Sequence, residues 1–514
     1  MMSFIHKYVF LLLGLYLLMA SGCKDKWEEH YGEQDPLLAE TLLSEIKKNP
    51  DLSIFSEYIH ATKYDSVLAT SKAFTIWAPT NAALEFLDPA IPADPVKLKA
   101  FVGNHIVYQS YVTHMADPAI RLESLNNGKT VLFSSFTVED IEISKSNIYV
   151  GNGVLHIIDG AIIPKLNIYE YIESSGVAPK LLSHIKSFDR KVVNPGGGVV
   201  LGIDPDTGKP LYEAGTDSII RNSYLRNTAQ INTEDSLFTY VVLKDDAFLA
   251  EENKLLPYFK AYNNQGIYKE DSSRFITRNH IVENLAFKGL FLPGNLPDSM
   301  LSVRGVNVHL NPSSIIETHR LSNGIAYVVS SIKYSTSKFL GEIIIQGESS
   351  VSVSASTANA RYTRRNPDGI TTYTQQRSTN LANLRSWYEY RTRLNSVKYK
   401  VYWRAMRDYD LVPPAPIAPS TVERPLTFFQ QRIAFKMFSA TDLPYKYVEA
   451  QEVLPAPIVG RRKYVPKYEE QYIGTYQVDK FGNESIFLVS NNESVAAGLN
   501  NLVLDYIRLI PVTN

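Results

Sequence analysis

Few reactive side chains in this chain of 514 residues are spaced to act together. Asp204-Pro-Asp-Thr-Gly208 places two carboxylates and a glycine in one short segment, as at the start of a calcium loop. The further acidic ligand and the distant glutamate of such a loop are missing, so a plain turn is expected. His105, His156 and His280 each stand alone, the first and last in helix-like apolar runs and His156 in a strand-like one. A ring with no partner nearby in sequence reads as a satisfied core histidine rather than a ligand or a base. We find no His-Glu-x-x-His, no Gly-x-Ser-x-Gly, no phosphate loop and no cysteine cluster. A dispersed carboxylate pair for glycoside hydrolysis needs no local motif and stays open. The expectation is a protein without catalysis, cofactor or metal.

The other candidates would bind rather than react. Arg377, Arg385, Trp387, Tyr388, Tyr390, Arg391 and Arg393 cluster in sequence. From Thr336 onward 22 Lys and Arg face 16 Asp and Glu, a net +6, against −7 for the rest. A basic, aromatic-rich module suits an acidic or sugar-rich partner. Trp387, Tyr388 and Tyr390 form a candidate sugar-stacking platform with Arg391 beside them, because aromatic faces take apolar sugar faces while arginine bonds hydroxyls. The competing expectation packs them inside a sandwich. On residues 398–404, Tyr399, Val401 and Trp403 face one way, towards a core, and Lys398, Lys400, Tyr402 and Arg404 the other. Nucleic acid is not an expected partner of an exported chain with net charge −1.

Export is read from residues 1–22. His6 and Lys7 precede a short apolar run, Val9 to Met19, and then Ala20-Ser21-Gly22 stand before Cys23, the only cysteine. The run is shorter than the roughly 20 residues of a membrane span, so it reads as a secretory signal. Small residues before a cysteine resemble a bacterial lipobox, with Ala20 where leucine is commonest. Lipidation of Cys23 also disposes of a free thiol that is otherwise a liability outside the cell. Acyl chains contribute about 0.8 kcal/mol per buried CH₂, so two or three hold a protein stably to a bilayer. Residues 23–35 are a charged tether; Glu28 and Glu29 resemble the acidic signal that sends lipoproteins to the cell surface. The expected location is the outer membrane, lipid-anchored and surface-exposed.

One pattern occurs twice. Phe74-Thr-Ile-Trp-Ala-Pro-Thr-Asn-Ala-Ala-Leu84, His105 and Asn152-Gly-Val-Leu-His156 are echoed by Phe238-Thr-Tyr-Val-Val-Leu-Lys-Asp-Asp-Ala-Phe248, His280 and Asn323-Gly-Ile-Ala-Tyr327. Such self-similarity predicts one domain type used twice. In the first copy a strand ends at Pro79, Thr80 and Asn81 are placed to cap a short helix over 82–87, and Gly151-Asn152-Gly153 turns a hairpin. These residues resemble the fasciclin-type adhesion domain at Thr75, Pro79, Thr80, Asn81, His105, Asn152, Gly153 and His156. The second copy loses the Ala-Pro-Thr-Asn turn. What the resemblance implies is a mixed α+β domain, a β-sandwich or wedge with helices on one side, that adheres or binds and has no shared catalytic site.

The expected organisation is α+β: a signal over 1–22, the tether, a fasciclin-like domain over 36–165, and a divergent one over 166–337 carrying an insertion at 189–232. Strand-like segments from 338 to 514 predict an all-β sandwich, and its closing strand is similar to that of jelly-roll, carbohydrate-binding-type domains. Two functions fit. One is adhesion to an extracellular protein or polysaccharide. The other is an accessory structural subunit of an outer-membrane glycan or peptide uptake complex built on a TonB-dependent transporter.

Overall fold

The computed structural model describes residues 40–513 except 127, 195, 206–207, 214, 355–359, 379–380, 382–385, 407–429, 437–442, 449, 454–462 and 492–500. The signal, Cys23 and the tether lie outside the described residues, as do Asp206 and Arg385. Among the described residues no helix is long and apolar enough to cross a membrane. The chain divides into two compact units. One comprises residues up to Tyr171 with Ile231–Leu237 and Arg320–Gly324, and the other comprises Ile172–Gln230, Phe238–His319 and Ile325 onward. The first unit thus reaches past residue 165. The Asn323 amide donates to the carbonyls of Ile231 and Thr233 and accepts from the Ile168 N–H, which ties those segments to it.

In the first unit, helices Leu42–Lys48, Ser53–Ala61 and Tyr64–Leu68 precede strand β1 (Phe74–Pro79). Then follow β2 (Ile106–Tyr108), β3 (Ile120–Glu123), β4 (Thr130–Phe133), β5 (Thr137–Val138), β6 (Ile141–Val150) and β7 (Gly153–Ile158). They form one sheet in the order β2-β1-β7-β6-β5-β4-β3, in which only β1 and β7 run parallel. β1 is buried along its whole length because both of its faces are covered. Phe74, Ile76 and Ala78 pack with Phe55 and Ile59 of helix Ser53–Ala61 and with Phe101 of a further helix, Pro95–Asn104. Trp77, pointing oppositely, packs with Phe133, Val138 and Ile158 inside the curled sheet. The expected hairpin is present, with Val150 opposite Gly153.

The second unit opens with helices Ile168–Ser175 (its first residues belonging to the first unit) and Pro179–Lys186. The insertion forms two ribbons: β8 (Asp189–Val193) pairs with β11 (Ser218–Asn222), and β9 (Val200–Ile203) pairs with β10 (Pro210–Tyr212). β12 (Phe238–Leu243), β13 (Ala286–Lys288), the short pair β14 (Met300–Leu301) and β15 (Asn307–Val308), β16 (Ile315–Leu321) and β17 (Gly324–Val329) follow. Their sheet has the order β13-β12-β17-β16, matching β2-β1-β7-β6 strand for strand. The register matches too: Thr239 lies opposite Phe287 as Thr75 lies opposite Val107. Where the Ala-Pro-Thr-Asn turn is lost, Lys244 precedes helix Asp245–Leu255 with no side-chain cap. Asp245 and Asp246 in its first turn complement the helix dipole instead.

From residue 336 onward the regular elements among the described residues are strands, apart from a short helix at Thr336–Leu340 and a single 3-10 turn at Gly347–Ser349. They are β18 (Ile343–Gln346), β19 (Ser352–Val353), β20 (Ala360–Arg365), β21 (Thr372–Ser378), β22 (Trp387–Leu394), β23 (Lys398–Arg404), β24 (Gln430–Ala434), β25 (Lys446–Tyr447), β26 (Ala450–Val453), β27 (Lys463–Pro466), β28 (Gln471–Gln477), β29 (Gly482–Ser490), β30 (Leu502–Leu504) and β31 (Tyr506–Val512). The main sheets have the orders β18-β31-β23-β28 and β19-β22-β29-β24-β25. Tyr399, Val401 and Trp403 of β23 meet Tyr388 and Tyr390 of β22 and Ile486 and Leu488 of β29 in one core. This is a sandwich in which alternate residues of β22 and β23 point inward.

Candidate functional site

The repeated signature residues are engaged in holding the backbone. The buried Thr75 hydroxyl donates to the Gln109 carbonyl (2.8 Å) and accepts from the Tyr111 N–H (2.7 Å). His105 is wholly buried; Nδ1 faces the Phe101 carbonyl at 2.8 Å and Nε2 faces the Ile162 N–H at 3.0 Å. Only the neutral ring with its proton on Nδ1 satisfies both partners. Desolvation pushes its pKa down to about 4, against the hydrogen bond to Phe101. His156 accepts from the Asn147 N–H at Nδ1 (3.3 Å) and donates from Nε2 to the Tyr111 carbonyl (3.0 Å), and burial lowers its pKa as well. With both nitrogens engaged, neither ring is placed to move a proton for a substrate.

Asn152 accepts from the Leu42 N–H (2.8 Å) and donates to the Leu68 carbonyl (3.0 Å). Gly153 has φ +152°, and a Cβ there would stand 1.9 Å from the Phe74 carbonyl oxygen, so only glycine fits. Pro79 ends β1, and the Thr80 side chain caps helix Asn81–Leu84 by accepting from the Ala83 N–H at 3.2 Å. Asn81 does not share that cap, contrary to the sequence expectation. Its side chain accepts from the Ile54 N–H and donates to the Pro50 carbonyl and the Ser53 hydroxyl, each at 3.0 Å. It secures the start of a different helix, Ser53–Ala61, from across the fold.

Residues 50–164 match the family model of the fasciclin domain. They form a fasciclin domain. Such a domain fits an adhesion- or binding-type role. Among solved structures, a fasciclin domain pair from the insect cell adhesion molecule Fasciclin I is 15% identical, covering 56% of this chain and 97% of its own, with a TM-score of 0.22. A xanthan lyase from Paenibacillus is 10% identical over 44% of this chain and 23% of its own, with a TM-score of 0.20. The insecticidal crystal protein Cry2Aa is 11% identical over 44% of this chain and 35% of its own, with a TM-score of 0.19. These scores are too low to support any inference. No curated protein matches the chain.

The second copy keeps the first copy's hydrogen-bond plan around its threonine. The Thr239 hydroxyl donates to the Gly289 carbonyl and accepts from the Phe291 N–H, each at 2.9 Å, as Thr75 does with Gln109 and Tyr111. Gly324 has φ +156°, close to that of Gly153. His280 departs from His105: its ring stacks on Phe259 with centroids 4.4 Å apart and meets Phe481 edge-on at 6.0 Å.

The expected sugar platform does not exist. Tyr388 and Tyr390 point into the sandwich core and are fully buried. The Tyr388 hydroxyl bonds that of Ser378, and Tyr390 donates to the Gly347 carbonyl at 3.0 Å. Burial pushes the Tyr388 phenol up to about 12 and raises that of Tyr390 as well. Trp387 lies on the opposite face, half-buried and edge-on to Phe487 at 5.6 Å. Arg391 is exposed and paired with Glu389 at 3.0 Å. Strand alternation therefore sends neighbouring aromatics to opposite sides, and no common stacking surface forms.

A different site lies in the second unit: a cleft of about 1010 Å³ between the Tyr262–Gly266 turn and the turn joining β28 to β29. Asn263 Oδ1 accepts from the N–H groups of Gln265 (3.0 Å) and Ile267 (2.9 Å), which fixes the first turn. Phe481 anchors the second, its N–H donating to the Lys260 carbonyl at 2.7 Å and its ring edge-on to Phe259 at 5.5 Å. Between them Tyr476 lies flat on Phe435, with centroids 3.8 Å apart. Its residues come from widely separated segments, which is why sequence reading missed it; the Tyr262-Asn-Asn-Gln-Gly266 run was the available signal. Among the described residues no three His, Cys, Asp or Glu side chains gather as a metal site.

Proposed function

We propose that the protein is a lipid-anchored binding protein of the cell envelope that recognises an extracellular polysaccharide or protein and does not transform it. The observation that carries this reading is the fasciclin domain at residues 50–164, whose signature histidines are both locked neutral by backbone partners. Cys23 behind Ala20-Ser21-Gly22 supplies the anchor, with the protein on the outer face of the outer membrane. Cys23→Ser is expected to move the protein from the membrane to the soluble fraction. An unchanged membrane fraction would contradict the anchor.

A second reading, a structural subunit of an outer-membrane uptake complex, is favoured by the insertion. Val193, Leu201, Ile203 and Ile220 on its ribbons stand largely exposed, Leu201 at 70%. Exposed apolar patches of this kind mark contact surfaces. Extraction in mild detergent separates the readings: a stoichiometric barrel protein co-purifying supports the subunit, and a lone protein retained on polysaccharide supports adhesion.

A further inference from the structure

We propose that the cleft between Tyr262–Gly266 and the β28–β29 turn binds a neutral oligosaccharide; this rests on the binding reading above and assigns it a site. At about 1010 Å³ it matches the upper end of the range for small-molecule clefts, roughly 300–1,000 Å³. That is room for several sugar rings.

Three features of its walls specify the ligand class. First, Tyr262 presents a partly exposed ring, held edge-on by Tyr268 at 5.7 Å, on a turn already fixed by Asn263. A held aromatic face takes the apolar C–H face of a pyranose at low ordering cost. Second, the side chains of Asn264, Asn483 and Asp479 line the cleft and make no hydrogen bond among the described residues. An amide offers both donors and an acceptor, and a carboxylate accepts, which is the complement of sugar hydroxyls. Third, the lining charges balance: Lys436 and Lys480 against Asp479 and Glu484, with Lys480 paired to Glu484 at 3.3 Å. A uronic-acid or sulfated chain finds no net positive charge there, although residues 336–514 carry an excess of basic residues. A further cavity, about 720 Å³ beside Lys129 in the first unit, has no aromatic side chain in its lining among the described residues. Its lysines are already paired, Lys129 with Glu170 at 2.6 Å and Glu234 at 3.3 Å, and Lys165 with Glu139.

The test uses the intact protein in affinity electrophoresis and calorimetry with β-glucan, mannan and xylan, and with polygalacturonate as the acidic probe. Tyr262→Ala and Asn483→Ala are compared with the wild type. Both sites are exposed, and an unchanged melting temperature confirms that each variant folds. Binding to at least one neutral chain, weakened about tenfold or more by Tyr262→Ala, is expected, as for loss of an aromatic anchor. Asn483→Ala should lower affinity for the same chain. Undiminished binding by both variants would overturn the cleft assignment while leaving the adhesion reading intact. Preference for polygalacturonate, or no binding to any probe, would overturn it too; in the latter case capture of an extracellular protein partner would still uphold the broader reading.

Discussion

Tyr327 does in the second copy what His156 does in the first. His156 Nε2 donates to the Tyr111 carbonyl at 3.0 Å, and the Tyr327 hydroxyl donates to the Phe291 carbonyl at 2.6 Å. In each copy the residue that owns that carbonyl also gives its N–H to the signature threonine, Thr75 or Thr239. Different residues thus serve the same hydrogen-bond plan in the two copies.

Replacing either donor tests that equivalence. His156→Phe leaves the Asn147 N–H and the Tyr111 carbonyl unpaired, so a loss of about 1–3 kcal/mol is expected in urea unfolding. Tyr327→Phe leaves one carbonyl unpaired and should cost less, about 1 kcal/mol. Unchanged stability in both variants would mean that these bonds are dispensable.

Acid should destabilise the first unit. His105 has a folded pKa of about 4 against 6.5 ordinarily, so the unfolded chain takes up the proton first. The stability that neutral His105 contributes is complete above pH 6.5 and lost as pH falls towards 4. His156 shifts in the same direction. Chemical denaturation across this range should show stability falling with acidification, less steeply in His105→Gln; equal slopes would exclude the buried ring as the cause.

Thr80 and Asn81 should differ in what they stabilise. Thr80→Ala removes a helix cap and is expected to cost about 0.5–2 kcal/mol. Asn81→Ala removes three hydrogen bonds to the segment Pro50–Ile54 and should additionally raise amide exchange at Ile54. Protection of Ile54 that survives the substitution would argue against the long-range role.

Much of the fold could be read from local pattern. The β1 strand, its proline stop, the Asn-Gly hairpin and the recurrence of the strand and the hairpin in the second copy depend on neighbours in sequence. Three features depended on distance instead. Asn81 is a competent cap by type, but its amide reaches a helix nearly thirty residues earlier. Tyr388 and Tyr390 belong to a strand with polar and aromatic residues on both parities, so sequence alone could not decide which side faced the core. The cleft is assembled from a turn near residue 264 and another near residue 480, and only the fold brings them together.

Recognition without transformation is tested most directly by incubating the intact protein with the polysaccharide panel and measuring both retention and new reducing ends. Retention with chain length unchanged over prolonged incubation is the expected result. Release of reducing ends in proportion to protein would contradict it, because no bond should break in a site built only to hold its ligand.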